Sequence, residues 1–131
     1  MTYCLQVVKT VLIVEDDADL RRMFRTTLAL AGYHVIEAAN GLDALRVLDV
    51  TPPEAVILDL GLPFLSGVAV RQEIAAHAHT RHVPVIIVTG QPGAHEALDV
   101  ACVLRKPVSP ERLVHVVKDC IAAGGGGSAL A

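Results

Sequence analysis

The chain has 131 residues, 53% of them hydrophobic, enough to bury the core of one compact domain. Its formal charge is −3, from 11 Lys and Arg against 14 Asp and Glu, and no basic run supplies the surface that a nucleic-acid backbone needs, so direct nucleic-acid binding is not expected. The first nine residues lack the basic-then-apolar pattern of a secretory leader, and the apolar stretch 55–70 is interrupted by Asp59 and Pro63, so no membrane span is expected and the chain reads as cytoplasmic.

Val11-Leu12-Ile13-Val14 is an unbroken aliphatic run that ends on Glu15-Asp16-Asp17, the pattern of a strand covered on both faces. Leu20, Met23, Phe24, Thr27, Leu28 and Ala31 then recur at helical spacing, with Asp17 near the start and Gly32 just past the end. A short strand is predicted over 35–38. Asn40 caps a following helix whose inward face is expected to hold Leu42, Leu45 and Leu48 before Pro52-Pro53 stops it.

Ala55-Val56-Ile57-Leu58 repeats the buried-strand pattern and again terminates on an acid, Asp59, ahead of a Gly61/Pro63 loop. Ser66 opens a helix with Val70 and Ile74 inward, and a fourth strand runs over 84–88 to Thr89-Gly90. A weaker fifth strand over 101–104 precedes Lys106-Pro107. Ser109 and Pro110 then start a last helix that carries Leu113, Val116, Val117, Cys120 and Ile121 on one face. The glycine run 124–127 has linker composition, so residues 123–131 are expected to form a flexible tail and 1–8 an extension, leaving 9–122 as the domain. Cys4, Cys102 and Cys120 are odd in number and widely spaced, and are read as three reduced thiols.

Alternating strands and helices imply an α/β fold with a parallel sheet, right-handed crossovers and a functional site beyond the carboxyl ends of the strands. Glu15, Asp16, Asp59, Thr89 and Lys106 all fall at that edge. Singly, an acid at a strand end is commonly a helix cap, and a loop Thr or Lys is solvated. Together they describe a charged centre. Carboxylates ~4 Å apart repel by ~4 kcal/mol per pair at an effective dielectric of ~20, which calls for a compensating hard cation such as Mg2+. His77, His79 and His82 have spacings that suit no common metal pattern and read as a solvated loop.

With Val11 to Asp17, Val56 to Pro63 followed by Gly67, Val88-Thr89-Gly90 and Lys106-Pro107 in this order, the chain resembles the receiver domains of bacterial two-component response regulators over about residues 9–121. The resemblance implies a doubly wound, flavodoxin-like sheet of five parallel strands in the order 2-1-3-4-5, with helices on both faces. It implies that Asp59 is the phosphoacceptor for a phosphohistidine donor, that Asp16, Asp59 and the Gly61 carbonyl ligate Mg2+ (with Mn2+ as the alternative), and that Glu15 acts on the ion through water. Lys106 would neutralise the transferring oxygens, Thr89 would be the switch hydroxyl, Gly90 would keep the entrance open, and the bond before Pro107 would be cis.

Such a domain catalyses its own phosphorylation and dephosphorylation only. Its implied partners are a histidine kinase or histidine phosphotransfer protein and a downstream protein target, with a homodimer left open. Two departures qualify this. Sixteen residues separate Thr89 from Lys106, and Pro92-Gly93 confine any fourth helix to 94–99, so that helix is expected to be short or missing. Val103 stands where the family carries a swinging aromatic, which leaves a second reading: an interaction module of the same fold that works without phosphorylation, or one whose readout passes through ordering of residues 90–101.

Overall fold

The computed structural model describes residues 7–63, 65–90 and 102–130, the last seven by their backbone alone. Five strands, β1 (Thr10–Val14), β2 (His34–Ala38), β3 (Ala55–Asp59), β4 (Val85–Thr89) and β5 (Cys102–Arg105), form one parallel sheet in the order β2-β1-β3-β4-β5. Four helices are present among the described residues: α1 (Ala18–Leu30), α2 (Gly41–Val50), α3 (Gly67–Ala76) and α4 (Pro110–Leu130). The expected short helix over 94–99 lies outside the described residues.

The unbroken apolar runs have a direct cause in the period of two along a strand. Val11 and Ile13 of β1, Ala55 and Ile57 of β3, and Ile86 and Val88 of β4 enter one core with Phe24 and Leu28 of α1 and Leu113 and Val117 of α4. Their neighbours Leu12, Val14, Val56, Leu58 and Ile87 enter the other, with Ala44 and Leu48 of α2 and Val70 and Ile74 of α3. Both faces are therefore dry, and each fully buried aliphatic side chain contributes about 1.5–3 kcal/mol.

The helix starts are set by local chemistry. Asp17 accepts from the N–H groups of Asp19 and Leu20, Asn40 from Asp43, and Ser66 from Ala69. Ser109 Oγ accepts from Arg112 N–H at 3.3 Å, with Pro110 in the first turn. Gly32, at φ 99°, supplies the left-handed residue that turns the chain from α1 into β2.

Three expectations change. Leu42 points outward, 54% exposed, because α2 buries Gly41, Ala44 and Leu48 instead; Gly41 is so close to the 65–70 segment that a Cβ there would stand 2.7 Å from Leu65 O. Cys102 and Cys120 are not free thiols but a disulfide, because the return of α4 across β5 brings their Cα atoms to 6.9 Å despite a separation of 18 in sequence. The backbone of 123–130 continues α4 to Leu130 instead of forming the tail that its glycines suggest; glycine weakens a helix by about 1 kcal/mol per residue but keeps its backbone donor.

Candidate functional site

The sheet places the polar residues by register. Val14 pairs with Leu58, Asp59 with Val88, and Thr89 with Arg105, so Glu15, Asp59, Thr89 and Lys106 emerge at one edge. Backbone bonds carry the ladder past the strands: Glu15 N–H donates to Ala38 O at 3.1 Å, Leu60 N–H to Val88 O at 3.2 Å, and Lys106 N–H to Thr89 O at 2.9 Å. Gly67 lets the start of α3 close over the end of β3. A Cβ there would collide with Asp59 O and stand 2.7 Å from Leu60 Cα.

Three carboxylates converge. One oxygen from each of Glu15, Asp16 and Asp59 lies within 4.8 Å of the others, Glu15 and Asp59 buried and Asp16 exposed. Asp59 Oδ1 accepts from Gly61 N–H at 3.0 Å, and Asp59 Oδ2 lies 3.3 Å from Lys106 Nζ. The same ammonium forms an ion pair with Glu15 Oε1 at 3.3 Å without hydrogen-bond geometry, and no donor among the described residues completes a hydrogen bond to that oxygen. Glu15 Oε2 accepts from Asp17 N–H at 3.2 Å.

Burial raises the Glu15 carboxyl from 4.5 to about 7, aided by its hydrogen bond and charge contact with Asp59. Burial opposes the charge on Lys106, but the Glu15 and Asp59 carboxylates outweigh it and hold its pKa above the usual lysine value. These residues border a cleft of about 500 Å³, which also takes in Thr89 (3% exposed), Leu60, Gly61 and Gly90. A Cβ at Gly90 would meet nothing within 4 Å among the described residues. The Lys106–Pro107 bond is cis.

Val103 is half-buried against the α2/α3 core. His77, His79 and His82 are exposed; the rings of His77 and His79 meet edge to face at 5.8 Å, and among the described residues the histidines join no metal-ligating group. Arg21 was not foreseen. From α1 its guanidinium donates to Glu15 O at 2.8 Å and pairs with Glu37 at 3.3 Å, fixing the backbone that presents the first acids. An arginine seven positions after a strand end carries no distinguishing mark in sequence.

The response regulator receiver domain family model matches residues 11–118. The chain belongs to this family. It is similar to the polar-differentiation response regulator DivK of Brucella anthropi, at 32% identity over 115 residues, covering 84% of this chain and 94% of that one. Among solved structures, the chemotaxis response regulator CheY4 of Vibrio cholerae superimposes with a TM-score of 0.81 at 25% identity, covering 87% of this chain and 99% of that one. The receiver domain of the sensor histidine kinase PA1611 from Pseudomonas aeruginosa, which holds a magnesium ion in its active-site cleft, gives 0.83 at 26% identity over 88% of this receiver and 99% of its own chain. The strand order 2-1-3-4-5 is that of the expected doubly wound sheet.

Proposed function

We propose that this receiver domain, spanning residues 9–122, accepts a phosphoryl group on Asp59 from a phosphohistidine of a histidine kinase or phosphotransfer protein, and switches protein–protein contacts in response. The observation that carries this is the setting of Asp59: a buried carboxylate at a strand end, oriented by Gly61 N–H, beside the Lys106 ammonium and two further acids.

A carboxylate oxygen of Asp59 attacks phosphorus as the P–N bond to the donor imidazole breaks, leaving an acyl phosphate on the chain and a neutral histidine on the donor once it is protonated. Lys106, already 3.3 Å from Asp59 Oδ2, neutralises charge on the transferring oxygens. The Thr89 hydroxyl, at the adjacent strand end, hydrogen-bonds a phosphoryl oxygen and so couples modification to β4. Water attack on phosphorus later breaks the bond to the Asp59 oxygen, releasing inorganic phosphate and restoring the carboxylate.

The donor set fits a hard dication: three carboxylates with one buried, undonated oxygen. Asp16, Asp59 and the Gly61 carbonyl would hold Mg2+, or Mn2+ in its place, with Glu15 acting through water. The ion supplies charge neutralisation for the incoming phosphoryl oxygens. This reading places the domain in the cytoplasm, with protein targets and no direct contact with nucleic acid or membrane.

Titration with beryllofluoride in the presence of Mg2+ tests the assignment. Wild type is expected to saturate at one site while Asp59→Asn gives no signal; binding that survives the substitution moves the reactive group elsewhere. Absence of binding by the wild type supports the phosphorylation-independent alternative.

A further inference from the structure

Two sulfurs lie apart from everything the acidic cleft uses. Cys102 opens β5, an edge strand of the sheet whose ladder among the described residues runs to β4, and Cys120 lies on α4. The disulfide between them is asymmetric in its surroundings. Cys120 is 2% exposed within the α1/α4 core, whereas Cys102 is half-buried and packs against the margin of that core. The ring it closes contains Lys106, whose N–H donates to Thr89 O.

We propose that Cys102 and Cys120 form a reversible dithiol–disulfide site that exchanges with disulfides of the glutathione or thioredoxin class and sets how firmly β5 is held to α4. In the oxidising direction the Cys102 thiolate, on the accessible side, attacks an external disulfide. One external thiolate leaves and a mixed disulfide forms on Cys102. The Cys120 thiolate then attacks Cys102 Sγ, expelling the second external thiolate. Two cysteine thiols have lost two protons and two electrons, and one external disulfide has become two thiols.

Reduction runs the same steps backwards, entering again at Cys102. The outcome is structural: β5 is a four-residue strand paired along its length with β4, and the disulfide adds a covalent tie to α4 beyond that pairing. The site does not depend on phosphoryl chemistry at Asp59.

The test uses the full chain, purified without reductant and equilibrated in glutathione buffers of graded ratio, then alkylated and mapped by mass spectrometry. Cys102 and Cys120 are expected to lose reactivity together and to appear as one crosslinked peptide pair; two thiols that alkylate independently at every ratio would overturn the proposal. Cys120→Ala is expected to trap glutathione on Cys102, and Cys102→Ala to leave Cys120 unmodified; the reverse pattern contradicts entry at β5. Reduction is expected to lower the wild-type Tm by roughly 10 °C, as opening a ring of this size implies, and to speed amide exchange in β5. The Cys102→Ala, Cys120→Ala double variant should show no response to reductant. A wild-type Tm and β5 exchange indifferent to reductant would refute the structural tie.

Discussion

Glu15 is a buried carboxyl 3.3 Å from the Lys106 ammonium and close to two other acids. Its pKa of about 7 against 4.5 means that the folded, metal-free protein binds a proton more tightly than the unfolded chain does. The resulting stability is fully present below pH 4.5 and is lost as pH rises through about 7. Thermal unfolding of chelator-treated protein should show Tm falling between pH 5 and 8, and Glu15→Gln should flatten that slope; an unchanged slope would remove Glu15 as its source. Lys106→Ala removes the cation shared by Glu15 and Asp59, and since a hydrogen bond to a charged group contributes about 1.5–3 kcal/mol, beryllofluoride affinity should fall roughly 10- to 100-fold. Thr89→Ala should leave phosphoryl uptake near wild type while abolishing the accompanying change in amide exchange; equal loss of uptake in both variants would contradict the separate roles. Glu15, Asp16, Asp59, Thr89 and Lys106 were legible because each ends or follows an apolar strand. Arg21 was not, because its contact with Glu15 O depends on how α1 folds back over β1.

At the scale of elements, the site is a consequence of strand ends, and its precision depends on close approach. Gly67→Ala would drive a Cβ into the Asp59–Leu60 backbone, which cannot yield as a flexible side chain would. The expected cost is about 1–3 kcal/mol, with reduced phosphoryl uptake because Asp59 itself is displaced. Urea unfolding and uptake measured on the same variant check both, and a change in neither would show that the α3 start has room to move. The strands, the four described helices and their caps were readable from aliphatic runs, helical spacing and Asp17, Asn40, Ser66 and Ser109. The rotation of α2 was not, because Leu42 and Ala44 are both apolar and only the tight seat of Gly41 decides between them. The Cys102–Cys120 bond was also hidden: a separation of 18 carries no spacing signature, and only the packing of α4 on β5 brings the two together.

Across the whole molecule, two apolar cores on a single parallel sheet leave the carboxyl edge as the place where buried charge accumulates. Among the described residues no helix is long and apolar enough to cross a membrane. The fold was legible as a whole because covering both faces of the sheet requires continuous apolar strands, a pattern that amphipathic alternatives lack. The segment 91–101 lies outside the described residues. Val103 beyond it packs into the α2/α3 core without the lever arm of an aromatic. The role of Asp59 as phosphoacceptor is tested most directly by intact and peptide mass after incubation with a small phosphoramidate donor and Mg2+. One added phosphoryl group is expected, localised to Asp59 and absent in Asp59→Asn, in support of that role. A wild-type mass that never changes, or an adduct that persists in the variant, would contradict it.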